Sequence, residues 1–184
     1  MRFLILSDIH GSLPVLEHVL HYYDKGKYDM LLLLGDLLNY GPRNGLPAGL
    51  DAMGVAKALA ARAADIVAVR GNCDSEVDQM LLPFPCLSDY AVVTDGRYRL
   101  FLTHGHIYNE QNMPAAPNAD VFFYGHTHLW TVKPKTGTVP AICNSGSPTF
   151  PKGGNPPTFA TLEDGLLSVR HFETGDPLAQ EQVY

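Results

Sequence analysis

Three short aliphatic runs near the start of the chain, separated by stretches of helical periodicity, do most to limit what it can fold into. Arg2–Ser7, Asp29–Leu34 and Ile66–Val69 each read as a buried strand ended by polar residues. Between the first two, Gly11-Ser12 opens a helix from Leu13 to Lys25, with Ser12 at the N-cap, Pro14 in the first turn and Gly26 as the stop. Leu13, Leu16, Val19, Leu20 and Tyr23 recur at helical spacing and should face a sheet. A loop rich in Gly and Pro runs from Asn39 to about Leu50, and a second helix follows near Ala52 to Ala63. Strand, helix, strand, helix, strand implies parallel strands joined by crossovers.

Beyond Tyr90 the pattern changes. Ala91–Asp95 and Tyr98–Thr103 form a predicted hairpin through Gly96. Asp120–Tyr124, Thr131–Lys135, Thr138–Cys143, Thr158–Leu162 and Leu166–Phe172 are further short strands between turn residues. Two facing sheets with helices outside would bury both kinds of element. The length of 184 residues suits one domain spanning 1–184, and no repeat or linker divides it.

The ends of these strands carry the chemistry. The first run ends in Asp8-Ile9-His10, the second in Gly35-Asp36, the third in Gly71-Asn72. The Tyr98–Thr103 run ends in His104, and Asp120–Tyr124 leads into Gly125-His126-Thr127-His128. Ligands collect at the carboxyl ends of strands in sheets with crossover helices, so these distant residues have a structural reason to meet. In extended backbone, residues two apart project to one side, so Asp8 with His10, and His126 with His128, should each reach a common site. The set is two carboxylates, one amide and four imidazoles. It holds no thiolate, which argues against a structural zinc knuckle, and seven donors exceed what one ion normally takes. A bridging carboxylate would divide them into two pockets, leaving positive charge for a phosphate anion.

Composition narrows the partners. A formal net charge of -6 argues against a broad nucleic-acid-binding surface, though bound metal can reverse the local field. Cys73, Cys86 and Cys143 form no CxxC pair and are expected to be reduced thiols. Phe3–Leu6 is too short for a signal-peptide core, and no apolar stretch nears the ~18 residues of a membrane span. The expected compartment is the cytoplasm, with no membrane partner.

Taken in order, Asp8-x-His10, Gly35-Asp36, Gly71-Asn72, His104-Gly105-His106 and Gly125-His126-x-His128 resemble the calcineurin-like metallophosphoesterase signature. The match covers the chain from its start to about Gly154. More narrowly, Ser7–Pro14, Gly41-Pro42-Arg43-Asn44, Val69–Met80 and Pro151–Pro156 are similar to bacterial phosphodiesterases of the YfcE type. The resemblance implies the metallophosphoesterase fold, an α/β (α+β) four-layer α-β-β-α sandwich of two mixed sheets flanked by helices. It implies one metal at Asp8, His10, Asp36 and His128 and a second at Asp36, Asn72, His104 and His126, with Asp36 as the bridge. Manganese is the implied ion; the donors would also accept iron, zinc or nickel.

The expected reaction is hydrolysis of a small phosphodiester by a hydroxide shared between two dications. Arg43 and Arg70 could fork onto phosphate oxygens and Lys152 could offer a point charge, unless each is a solvated or structural charge, Arg70 pairing with Asp74. His106 is expected to face substrate or support a ligand; His18, His21 and His171 receive no role. Asp36, Asn72, Cys73 and Arg43 form the expected catalytic group. Cys73 is the departure, because many relatives carry there a histidine thought to protonate the leaving oxygen. A thiol is the poorer donor near neutrality, so substrates needing little protonation are expected. The alternatives are a phosphomonoesterase using the same ions and a non-catalytic protein-binding scaffold. Apolar residues on the later strands and at Val183-Tyr184 could support a homo-oligomer.

Overall fold

The computed structural model describes residues 1–115 and 118–183. β1 (Arg2–Leu6), β2 (Met30–Leu33) and β3 (Ile66–Ala68) pair in parallel, as the alternating pattern requires. The crossovers are α1 (Leu13–Gly26) and α2 (Ala52–Ala60). α1 buries Leu16, Val19, Leu20 and Tyr23 on one face. Each such side chain contributes about 1.5–3 kcal/mol of transfer free energy, an upper bound because the unfolded chain already buries some of it. Ser12 does sit at the N-cap, but its hydroxyl donates to Ala48 O instead of capping the helix, so it ties α1 to the preceding loop.

The second half completes this sheet and builds another. β9 (Thr158–Glu163) lies antiparallel to β1 and continues into β10 (Leu166–His171) and β11 (Pro177–Gln182), giving the order β11-β10-β9-β1-β2-β3. The second sheet holds β4 (Tyr90–Thr94), β5 (Arg99–Thr103), β6 (Val121–Tyr124), β7 (Thr131–Lys133) and β8 (Ala141–Asn144) in the order β4-β5-β6-β8-β7. β5, β6 and β8 are parallel, and β4 and β7 are antiparallel edges. Both sheets are therefore mixed, as expected.

Strand alternation sorts the core into layers. Phe3, Ile5 and Leu32 meet Leu100, Val121 and Phe123 between the two sheets. Leu4, Leu6, Leu31 and Leu33 point the other way, under α1 and α2. The outer face of the second sheet carries Phe101, Phe122, Tyr124 and Ile142, with Tyr108 and Met113 packed on it. Among the described residues that face has no helix, and the connection after β5 covers it instead. A short α3 (Glu76–Leu81), opened by a Ser75–Asp78 capping box, follows β3.

The chain's end differs from expectation. Val183 is 4% exposed and its N–H bonds to Gly165 O, so it belongs to the core rather than to a self-association surface. Tyr184 lies outside the described residues. No helix among those described is long and apolar enough to cross a membrane.

Candidate metal centre

Parallel pairing brings the carboxyl ends of β1, β2 and β3 to one edge, and likewise those of β5, β6 and β8. Beyond β1 and β2 the backbones stay tied: Asp8 N–H donates to Gly35 O at 3.0 Å, and His10 N–H to Asp36 O at 2.9 Å. The extended geometry expected for Asp8–His10 and His126–His128 is not what the chain adopts. Asp8 (φ 57°), His10 (φ 52°), Asp36 (φ 54°), His126 (φ 67°) and His128 (φ 60°) are all left-handed. Asp, Asn and His are the side chains best tolerated there, at a cost of about 1–3 kcal/mol each. The pairs still reach one site, aimed by turns instead of by strand alternation.

The donors fall into two overlapping groups. In the first, Asp8 Oδ1 lies 3.2 Å from His128 Nε2 and 3.6 Å from His10 Nε2, and the two nitrogens are 3.3 Å apart. In the second, His104 Nε2 lies 3.2 Å from both Asn72 Oδ1 and His126 Nδ1. Asp36 Oδ2 stands between them, 3.8 Å from His10 Nε2 and 3.6 Å from His104 Nε2. All seven sequence-derived donors therefore converge.

These residues fit a bound cation. His10 Nδ1, His104 Nδ1 and His128 Nδ1 face the backbone carbonyls of Asn39, Leu34 and Phe150 at 2.7–2.9 Å, contacts that require a ring N–H. Their Nε2 atoms then present lone pairs inward. Lone pairs at 3.2–3.3 Å from one another, and from Asp8 Oδ1, cannot satisfy each other; a cation between them would. Asp8 Oδ1 is fully buried and has no hydrogen bond. Without an ion, burial opposes ionisation of Asp8, but charge on His104 and donation from His10 and His128 outweigh it and hold the carboxyl well below its usual range, a part that a cation would take over once those rings present lone pairs. Burial and then the neighbouring His104 push His126 down to about 4, leaving its imidazole neutral. Geometrically, Asp8, His10 and His128 form one group able to hold an ion, and Asp8, Asp36 and His104 another.

Residues that sequence reading did not single out fix this arrangement. The buried Asp74 carboxylate accepts the N–H groups of Asp36 (2.8 Å), Leu37 (2.9 Å) and Gly71 (2.7 Å). It is thus engaged by the backbone rather than by Arg70, the pairing raised as the structural alternative for that arginine. Asn144 plays the matching part opposite, donating to Gly125 O at 2.9 Å and Thr127 Oγ1 at 3.0 Å and accepting from Gly146 N–H at 2.9 Å. Ser7 Oγ and His126 N–H hold Asp8 Oδ2 at 2.6 and 2.9 Å. Gly71 leaves room for the Asp36 carboxylate, since a Cβ there would overlap Asp36 Oδ1. The sequence signal for Asp74 was its place in Gly71-Asn72-Cys73-Asp74; Asn144 offered none.

The donors open onto a cavity of about 710 Å³ lined by Asp36, Asn72, Cys73, Arg43, His128 and Lys152. Arg43 and Lys152 are exposed side chains on its wall. Arg70 and His106 are not among its lining residues; Arg70 N–H bonds to Ser88 O, and His106 lines a neighbouring cavity. Burial and Asp36 push the Cys73 thiol up to about 12, and its sulfur accepts from Asn72 Nδ2 at 3.2 Å. A nearby dication would oppose that push.

Residues 1–164 match the calcineurin-like phosphoesterase superfamily domain. Over 183 residues the chain is 48% identical to phosphodiesterase YfcE of Escherichia coli K12, covering all of this chain and 98% of that one. The solved structure of the E. coli YfcE phosphoesterase superposes with a TM-score of 0.95 and 43% identity over the whole of both chains. Vps29 of Cryptosporidium parvum, 20% identical with a TM-score of 0.66 over 97% of this chain and 95% of that one, shares the fold.

Proposed function

The chain belongs to the calcineurin-like phosphoesterase superfamily, and from that premise we propose that it hydrolyses a small phosphodiester using two divalent ions in the site described above. Asp8, His10, Asp36 and His128 would hold one ion, and Asp36, Asn72, His104 and His126 the other. The single observation that carries this reading is Asp36 Oδ2, which stands 3.8 Å from His10 Nε2 and 3.6 Å from His104 Nε2. One carboxylate oxygen between imidazoles from two sheets suits a shared ligand. When bound, the ions would neutralise phosphoryl charge and lower the pKa of an attacking water. Oxygen and nitrogen donors accept manganese, our preferred ion, and equally iron, zinc or nickel.

The chain's own residues do the rest. Arg43 and Lys152 draw phosphoryl oxygens into the cavity, Arg43 by a planar fork and Lys152 as a point charge. Asn72 orients through Nδ2 while its Oδ1 faces the site. Cys73 N–H fixes Asp36 Oδ1 at 2.8 Å, so the position matters through its backbone as well as its thiol. A thiol held protonated is a weak acid, and the departing alkoxide must leave largely unaided. We therefore read the preferred diesters as those with good leaving groups, and Arg70 as acting outside the main cavity.

The same reading takes residues 1–184 as one cytoplasmic domain, with the exposed Tyr90 and Val92 of β4 as its self-association surface. The test is turnover, by manganese-loaded protein, of a bis-aryl phosphate and its mono-aryl analogue. Faster diester hydrolysis is expected. A faster monoester would make the protein a phosphomonoesterase, and failure to retain metal together with no turnover of either would leave a binding scaffold.

A further inference from the structure

Beside the 710 Å³ cavity lies a second of about 340 Å³, and the two share His126 and Thr127. Their walls differ in charge. The larger holds Asp36, Arg43 and Lys152, whereas the smaller has no Asp, Glu, Lys or Arg among its lining residues. Glu110 and Lys133, close in sequence to the lining residues Gln111 and Thr131, are paired with each other.

The polar groups of the smaller cavity divide into spent and unspent. Asn109 accepts the N–H groups of Gln111 and Asn112 and donates to Gly105 O, so it is used up holding the loop after β5. Thr127 Oγ1 is likewise engaged, by Asn144 Nδ2 and Leu129 N–H. The exposed Gln111 amide and the half-buried Thr131 hydroxyl make no hydrogen bond within the described residues and are free to meet a ligand. Leu129, 44% exposed, and the Tyr124 ring add carbon surface. Neutral donors and acceptors beside carbon surface, with no lysine or arginine in the lining, suit a hydroxylated carbon skeleton better than an anion.

We propose that this cavity is a specificity subsite for the second arm of the diester, and that the arm is an uncharged polyol or sugar. The inference rests on the diesterase reading above. A phosphodiester carries two substituents leaving phosphorus in different directions, and a site with two contiguous cavities meeting at His126–Thr127 can seat one in each. Gln111 and Thr131 then set the preference by hydrogen-bonding hydroxyls of that arm.

The test compares metal-loaded, full-length protein on p-nitrophenyl phosphoglycerol, methyl p-nitrophenyl phosphate and a p-nitrophenyl diester with a carboxymethyl arm. In the unaltered protein kcat/KM should favour the glycerol arm over the methyl arm by about tenfold, the worth of one or two neutral hydrogen bonds. The Gln111→Ala, Thr131→Val double variant should bring that ratio to about one. Because all substrates share the same ions and fold, the ratio is insensitive to partial unfolding or metal loss. A ratio near one in the unaltered protein, an unchanged ratio in the variant, or a preference for the carboxymethyl arm overturns the proposal. If no diester is turned over, the diesterase reading falls. Titration with glycerol 3-phosphate and methyl phosphate then decides the subsite: several-fold tighter glycerol 3-phosphate binding, lost in the variant, supports it, and equal binding overturns it.

Discussion

At the ends of β2 and β3 the turns are pinned by a buried group that only accepts, the Asp74 carboxylate; at the ends of β6 and β8 they are pinned by one that both donates and accepts, the Asn144 amide. The reason is local. The N–H groups of Asp36, Leu37 and Gly71 converge on Asp74, so nothing there offers a lone pair for an amide to meet. Asn144 faces a carbonyl and a hydroxyl on one side and Gly146 N–H on the other. The two side chains are nearly the same shape, and hydrogen-bond polarity alone decides which half takes which. The same half that needs the carboxylate anchor also supplies both candidate carboxylate ligands, while the other supplies imidazoles only.

The largest expected effect tests whether the halves meet at Asp36. Asp36→Ala should empty both pockets, leaving metal content near zero, and should cost more than the about 10–100-fold typical of an outer partner. His128→Ala, which removes a donor from one group alone, should retain about one equivalent. Equal metal loss in the two variants would remove the idea of a shared carboxylate.

Exchanging the anchors comes next. Asn144→Asp buries a charge against Gly125 O and should destabilise by about 3–5 kcal/mol. Asp74→Asn sets one amide N–H group against backbone donors and should cost about 1–3 kcal/mol. Thermal melts would register these at roughly 2–4 °C per kcal/mol for a chain of this size. A neutral Asn144→Asp melt would mean that hydrogen-bond polarity does not separate the halves.

The smallest effect is one of pH, read in metal-free protein. Burial raises Asp74 from 3.8 to about 6, against the pull of its three backbone donors. The folded state thus binds a proton that the unfolded state has released, so stability from this site is full below about 4, declines as pH rises, and levels off above about 6. Asp74→Asn should abolish that slope. In the Asn144 half, His126, pushed down to about 4, contributes a slope of opposite sign between about 4 and 6.5. The readout is therefore the difference in slope between the unaltered protein and Asp74→Asn, and no difference would point to another group.

Much of this molecule could be read from residue order. The aliphatic runs marked β1, β2 and β3, and the polar residues ending them marked the donors, because parallel crossovers force strand ends together. Other parts left weaker traces. β11 begins with Pro177 and reads PLAQEQ, with no apolar alternation; it is a strand because β10 offers it an edge. α3 is short and was signalled only by its Ser75–Asp78 box. Asn144 ends a strand read as stopping at Cys143, and its partners lie across the sheet, where no sequence spacing announces them. The left-handed turns at the donors could not be foreseen either, since Asp and His also occur in ordinary strands.

Those turns carry a consequence for anyone who would change the ion this centre prefers. Replacing a donor at positions 8, 10, 36, 126 or 128 with glutamate or cysteine asks a less tolerant residue to take a mirror-image backbone, a conformational toll added to any coordination change. Asn72 and His104 are free of it, being absent from the chain's described positive-φ residues. Redesign of metal preference should begin at those two, where exchanging one donor atom for another leaves the polypeptide's course undisturbed.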